Sequence, residues 1–143
     1  MGAPTAVINK ETIGRRGHVT VLVEWTAADA DDLSAVVVLD PDLDASGHYQ
    51  NTRFKVLNGT FNSDSGTEAK LEFDTLPTAD ALIVAVAGDA TSGGFDFSNT
   101  LHGNRPDPNR DTPSKITLTT TGSVPGTALF LEFNYLEAGT IPG

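Results

Sequence analysis

The sequence predicts an all-β domain, an antiparallel β-sandwich or jelly-roll-like fold of seven to nine strands, on three observations. Nearly every apolar cluster alternates with period two or forms a short β-branched run. Turn clusters recur every eight to twelve residues, the spacing of sandwiches and barrels. No segment carries a long helical periodicity. The boundaries that follow are an N-terminal arm or edge strand over 1–18, the sandwich over 19–137 and a C-terminal tail over 138–143.

Taken in order, Val7 to Arg16 (VINKETIGRR) can form either a docking arm or the first strand of the domain's own sheet. Val19 to Thr26 (VTVLVEWT) is a strand with Val19, Val21, Val23 and Trp25 on one face and Thr20, Leu22, Glu24 and Thr26 on the other. Thr26 to Leu33 (TAADADDL) is the one stretch open to a helical turn, favoured by its Ala and opposed by its Asp cluster. Ala35 to Leu39 (AVVVL) and Leu82 to Ala87 (LIVAVA) are continuously apolar and too short for helices, so they are expected as central strands covered on both faces. Arg53 to Leu57 (RFKVL) and Ile116 to Thr121 (ITLTTT) add two strands. Lys70 to Asp74 (KLEFD) alternates with Leu71 and Phe73 inward, and near the end Leu129, Leu131, Phe133 and Tyr135 alternate with Phe130, Glu132 and Asn134. Turns are expected at Asn58-Gly59, Ser63 to Gly66, Ser92 to Gly94 and Thr121 to Gly126, and an exposed loop over Gly103 to Pro113. The core should include Val21, Val23, Trp25, Val37, Leu71, Phe73, Ile83, Val84, Leu118, Leu131 and Phe133.

Composition narrows the function classes. The 143 residues fit one domain, and 19 Asp and Glu against 9 Lys and Arg give a net charge of −10. Such a surface argues against nucleic acid and anionic membranes, whose binding needs clustered cations. Without Cys there is no disulfide, thiolate metal site or Cys nucleophile. The start lacks the apolar core of a signal peptide, and no run approaches the length of a membrane span. Charge is uneven: residues 1–18 carry +2 and residues 19–52 carry −7.

Candidate chemistry is sparse. Asp40, Asp42 and Asp44 alternate in DPDLDASG like the opening of a calcium loop, but Pro41 and Leu43 interrupt it, Gly47 is out of place and Asn51 stands where a bidentate Glu is needed. A solvated acidic turn and a weak divalent site are the two readings, and Asp29, Asp31 and Asp32 read the same way. His18, His48 and His102 each neighbour Gly in expected turns, with no nucleophile elbow to serve. A pair of glycosidase carboxylates is not singled out among the acids. A carbohydrate-binding face would need exposed aromatics, yet Trp25 sits on a core face and Tyr49 and Tyr135 stand alone. The residues therefore indicate no enzyme and no cofactor.

The layout KLEFDTL, PTAD, ALIVAVA, a Gly-rich turn leading to FDF, a Pro- and Gly-containing loop, KITLTTTG and a final ALFLEFNYLE, over roughly residues 68–137, resembles small β proteins of tailed-bacteriophage structural gene clusters. That resemblance implies a virion component, first a head decoration or cement protein on the capsid exterior, with a neck or tail component, or a carbohydrate-binding or host-adhesion module, as alternatives. It implies the major capsid protein as partner and a homotrimer as assembly. The basic N-terminal segment is the expected dock, through Val7, Ile8, Lys10, Arg15 and Arg16.

Overall fold

The structure is a computed structural model that describes residues 4–25, 31–47, 49–63, 67–74, 81–86, 92–98, 103–108 and 113–140. Two antiparallel sheets stack as a sandwich. Sheet A has the order β1 (Thr5–Ile13), β2 (Arg16–Trp25), β10 (Thr127–Thr140), β4 (Gln50–Ser63) and β7 (Ser92–Asp96), with the two-residue β8 (Arg105–Pro106) also on β4. Sheet B has the order β3 (Val36–Leu39), β9 (Lys115–Thr121), β5 (Glu68–Asp74) and β6 (Ala81–Val86).

The alternation in β2 and β10 builds the core directly. Val19, Val21, Val23 and Trp25 face Leu71, Phe73, Ile116 and Leu118 across the layers, joined by Leu129, Leu131, Phe133 and Tyr135, all buried. Phe54 of β4 meets Tyr135 edge to face, with ring centroids 5.1 Å apart. Sheet A also covers glycine with cross-strand rings: Tyr135 lies over Gly17, Phe95 over Gly59 and Phe61 over Gly93. A ring fills the space that a glycine leaves in a strand, so these pairs pack where each residue alone would leave a gap.

Residues 5–13 are the first strand of the domain's own sheet, paired with β2 from Thr5↔Glu24 to Ile13↔Arg16. The connecting turn is Gly14-Arg15, with Gly14 at φ 61°, the conformation a two-residue hairpin demands of its first residue.

Several expectations change. Asn58-Gly59 is no turn: β4 runs straight through it, with a bulge at Leu57 between Asn134↔Asn58 and Tyr135↔Val56. Ser92 to Gly94 belongs to strand β7 rather than a turn. The runs in β3 and β6 are the two edges of sheet B, not its centre, and they are not covered on both faces, because a sandwich sheet packs through one face only. Val37 is accordingly exposed and Val84 only half-buried, while the other expected core residues are buried. Strands number ten among the described residues, including the short β8 within the expected loop 103–113. Strand β10 continues through Ala138, which the sequence placed in the tail. The possible helical turn at 26–33 falls largely outside the described residues, and among the described residues one short helix, α1 (Pro41–Asp44), forms in the acidic run.

Candidate functional site

The bulge at Leu57 decides what the outer face of sheet A displays. Before it, Phe54 and Val56 point into the core; after it the parity flips and Asn58, Thr60 and Asn62 point out. Register then lays three rows across the strands. One runs Val7, Leu22, Phe130, Asn62, Ser92; the next Asn9, Thr20, Glu132, Thr60, Gly94; the third Glu11, His18, Asn134, Asn58, Asp96.

Five side chains of the second and third rows form one hydrogen-bonded path over three neighbouring strands. Thr60 Oγ1 donates to Glu132 Oε1 at 2.9 Å. Glu132 Oε2 meets His18 Nε2 at 3.2 Å. His18 Nδ1 lies 2.7 Å from Asn134 Oδ1, and Asn134 Nδ2 donates to Asn58 Oδ1 at 2.7 Å. Beside the path a shallow depression of about 320 Å³ is lined by Glu11, Ile13, Arg16, Gly17, His18 and Asn134. Phe130, 36% exposed, joins Leu22 and Val7 in an apolar strip along one side.

Chemically this face presents a continuous set of hydrogen-bond donors and acceptors beside an apolar strip. Both ring nitrogens of His18 are engaged by side-chain oxygens, Asn134 Oδ1 at Nδ1 and Glu132 Oε2 at Nε2. Linked side chains hold their donors and acceptors in fixed directions before a ligand arrives.

The remaining sequence candidates scatter. Val7 lies on the outer face, exposed, and Ile8 faces inward, half-buried against the core. Lys10 points inward and pairs with Asp44 of this same chain at 2.7 Å. Arg15 sits in the hairpin turn over the Tyr49 ring, 5.8 Å from its centroid, and Arg16 starts β2 on the outer face. These five share no single surface. The acidic run is a capped turn: Asp40 Oδ1 accepts from Asp42 N at 2.9 Å, and Asp44 Oδ2 accepts from Asp40 N at 2.7 Å as well as from Lys10. Among the described residues no three acids or histidines converge as a metal would require. Asp32 instead clamps the β9–β10 turn through Ser123 N, Ser123 Oγ, Gly122 N and Thr120 Oγ1. Burial raises its carboxyl, but these hydrogen bonds together outweigh that and hold it below the usual carboxylate range. Burial pushes the Tyr135 phenol up; its bond to Thr12 opposes this, and the charges of Glu137 and Asp44 add to it.

His18, expected in a turn, lies within strand β2, half-buried. The signal that could have found the site was the polar phase of β10, Glu132 and Asn134 beside Phe130. Its partners on β4 were hidden by the bulge. His48, His102 and Asp29 lie outside the described residues.

No family model and no curated protein matches this sequence. Among solved structures, family 29 carbohydrate-binding modules align with 96% of the chain at TM-score 0.37 and 8% identity; the chain covers 76% of one, and 81% of another described in complex with mannohexaose. A further structure described as a family 29 carbohydrate-binding module aligns with the same share of the chain and is covered over 78% of its length, at the same TM-score and identity.

Proposed function

We propose that this chain is a non-enzymatic β-sandwich that holds a neutral glycan on the outer face of sheet A, as a host-adhesion or carbohydrate-binding module of a virion. The observation that carries the reading is the path Thr60, Glu132, His18, Asn134, Asn58 running beside Phe130. Sugar hydroxyls both donate and accept, and groups already fixed in direction meet them with little further ordering cost. The Phe130 strip suits the apolar face of a sugar ring. Glu11, Glu24, Glu132 and Asp96 on the same face, in a chain of charge −10, work against an anionic glycan. The virion setting rests on the resemblance over residues 68–137.

A glycan array of neutral and sialylated oligosaccharides, with mannohexaose included, tests the reading. Retention of a neutral glycan that falls about tenfold in Phe130→Ala and in Asn58→Ala supports it. Retention of nothing, or retention indifferent to both substitutions, ends it.

A second reading, a capsid decoration protein on the head exterior, is favoured by one observation: among the described residues the outer edge of β1 pairs with no other strand. A strand of the major capsid protein could add there. Binding of the purified chain to bare particles, lost when residues 1–13 are removed from a chain that stays folded, would support it.

A further inference from the structure

We propose that the proton on His18 sets the direction of the Asn134 and Asn58 amides, and so whether the outer face of sheet A offers a donor or an acceptor at Asn58. The purpose of this relay rests on the glycan reading; its test does not.

The geometry leaves few ways to satisfy the path. With His18 doubly protonated, each ring N–H donates to the oxygen it faces, Nδ1 to Asn134 Oδ1 at 2.7 Å and Nε2 to Glu132 Oε2 at 3.2 Å. Asn134 then has its Nδ2 turned to Asn58 Oδ1 at 2.7 Å, which leaves the Asn58 Nδ2 as the group presented onward. Removing one proton turns one ring nitrogen into an acceptor. That nitrogen cannot remain opposite an acceptor without losing the contact.

The two sides differ in what they can do about it. Ionised Glu132 accepts only, and its other oxygen is already held by Thr60 at 2.9 Å, so it cannot become a donor. Asn134 can, by turning its amide through half a revolution. The neutral ring therefore keeps its proton on Nε2, toward Glu132, and takes a hydrogen bond at Nδ1 from Asn134 Nδ2. Asn134 now shows Oδ1 to Asn58, which turns in the same way and presents Oδ1 in place of Nδ2. One proton at His18 thus inverts the hydrogen-bonding sense of the surface two strands away.

The charged groups around His18 are Glu132 on β10, Glu11 directly across on β1, and Arg16 two residues along β2 on the same face; Lys55 on β4 and Asp96 on β7 lie two and three strands off. None of them can substitute for the Asn134 amide at Nδ1.

The test uses ¹⁵N-labelled full chain without ligand, following the His18 ring and the Asn134 and Asn58 side-chain NH₂ signals across roughly pH 5–8, where imidazoles change charge. In the parent protein all three should move with one midpoint. In Glu132→Gln the new amide can donate to the neutral Nε2, so the ring should titrate while both Asn signals stay still. In Asn134→Asp the acceptor at Nδ1 is permanent, so Asn58 should stop responding. Asn signals that stay still while the parent ring titrates overturn the relay, as does unchanged Asn58 movement in either variant. Mannohexaose retention, measured separately, should change about 2- to 10-fold between the two states of the ring. Absence of retention at every pH refutes the glycan reading alone.

Discussion

Replacing Gly17 by Ala should destabilise the protein by about 2–4 kcal/mol, although Ala in a strand interior ordinarily gains roughly 0.5–1 kcal/mol over Gly. A Cβ at this position would overlap Cζ, Oη and Cε1 of Tyr135. The ring cannot step aside cheaply. It is fully buried, meets Phe54 edge to face at 5.1 Å and carries a 3.0 Å bond between its hydroxyl and Thr12 Oγ1. Moving it forfeits the ring contact, about 0.5–1.5 kcal/mol, and the hydroxyl bond, about 1 kcal/mol, and adds overpacking strain of roughly 1–3 kcal/mol. For a domain of this size the loss corresponds to a fall of about 5–15 °C in melting temperature. Urea unfolding and thermal melts read it, and a double-mutant cycle with Tyr135→Leu isolates the cause: in that background Gly17→Ala should cost less than about 0.5 kcal/mol. A single Gly17→Ala variant within about 1 kcal/mol of the parent, or an equal loss in the Tyr135→Leu background, would refute the seating of the ring on the glycine.

Asp32→Ala should loosen the β9–β10 turn and cost about 1–2 kcal/mol, kept small because the carboxylate is exposed. Since hydrogen bonding depresses this carboxyl in the folded state, its contribution is present above about pH 4 and disappears as pH falls through the depressed value. Acid melts should therefore show a shallower low-pH decline in the variant; an identical decline would count against the clamp. Melts in EDTA and in excess calcium should superimpose, because Asp40 and Asp44 are already engaged by backbone N–H groups and Lys10; a calcium-dependent rise abolished by Asp42→Ala would overturn that. Phe133→Ala, at a fully buried site, should cost about 3–5 kcal/mol by denaturant titration, and a loss under about 1 kcal/mol would place the ring at the surface.

Where one face is core and the other solvent, the alternation of the chain is a direct image of the fold, which is why the inward and outward faces of β2, β5 and β10 were legible while their ends were not. Neighbour relations left no such image. AVVVL and LIVAVA look like central strands because β-branched runs mark both covered strands and sandwich edges, and only sheet order, which no local window contains, separates the two. Asn58-Gly59 carries the strongest short turn signal in the sequence, yet the pair lies extended: Phe95 covers Gly59, and Asn58 is tied to Asn134. Tertiary contacts there override a local preference worth only a few kcal/mol. The bulge at Leu57 hid the outer face of sheet A as well, since period-two reasoning carried past it assigns Asn58 and Thr60 to the wrong side.

Strand β10 lies at the centre of sheet A, with β2 on one flank and β4 on the other, and Trp25 finds its partner Thr127 about a hundred residues later in the chain. During synthesis at roughly 5–20 residues per second, the valine face of β2 therefore waits several seconds on the ribosome with one backbone edge bare. Sheet B waits as well, since β3 pairs only with β9, but β9 is made before β10 emerges and so completes that sheet earlier. The nascent chain is expected to close that layer first and use it as the floor on which the last strand docks. Its most vulnerable moment to misassociation is then the interval before residues 127–140 slide between the waiting edges of β2 and β4, a step governed by the non-local pairing that makes such topologies slow folders.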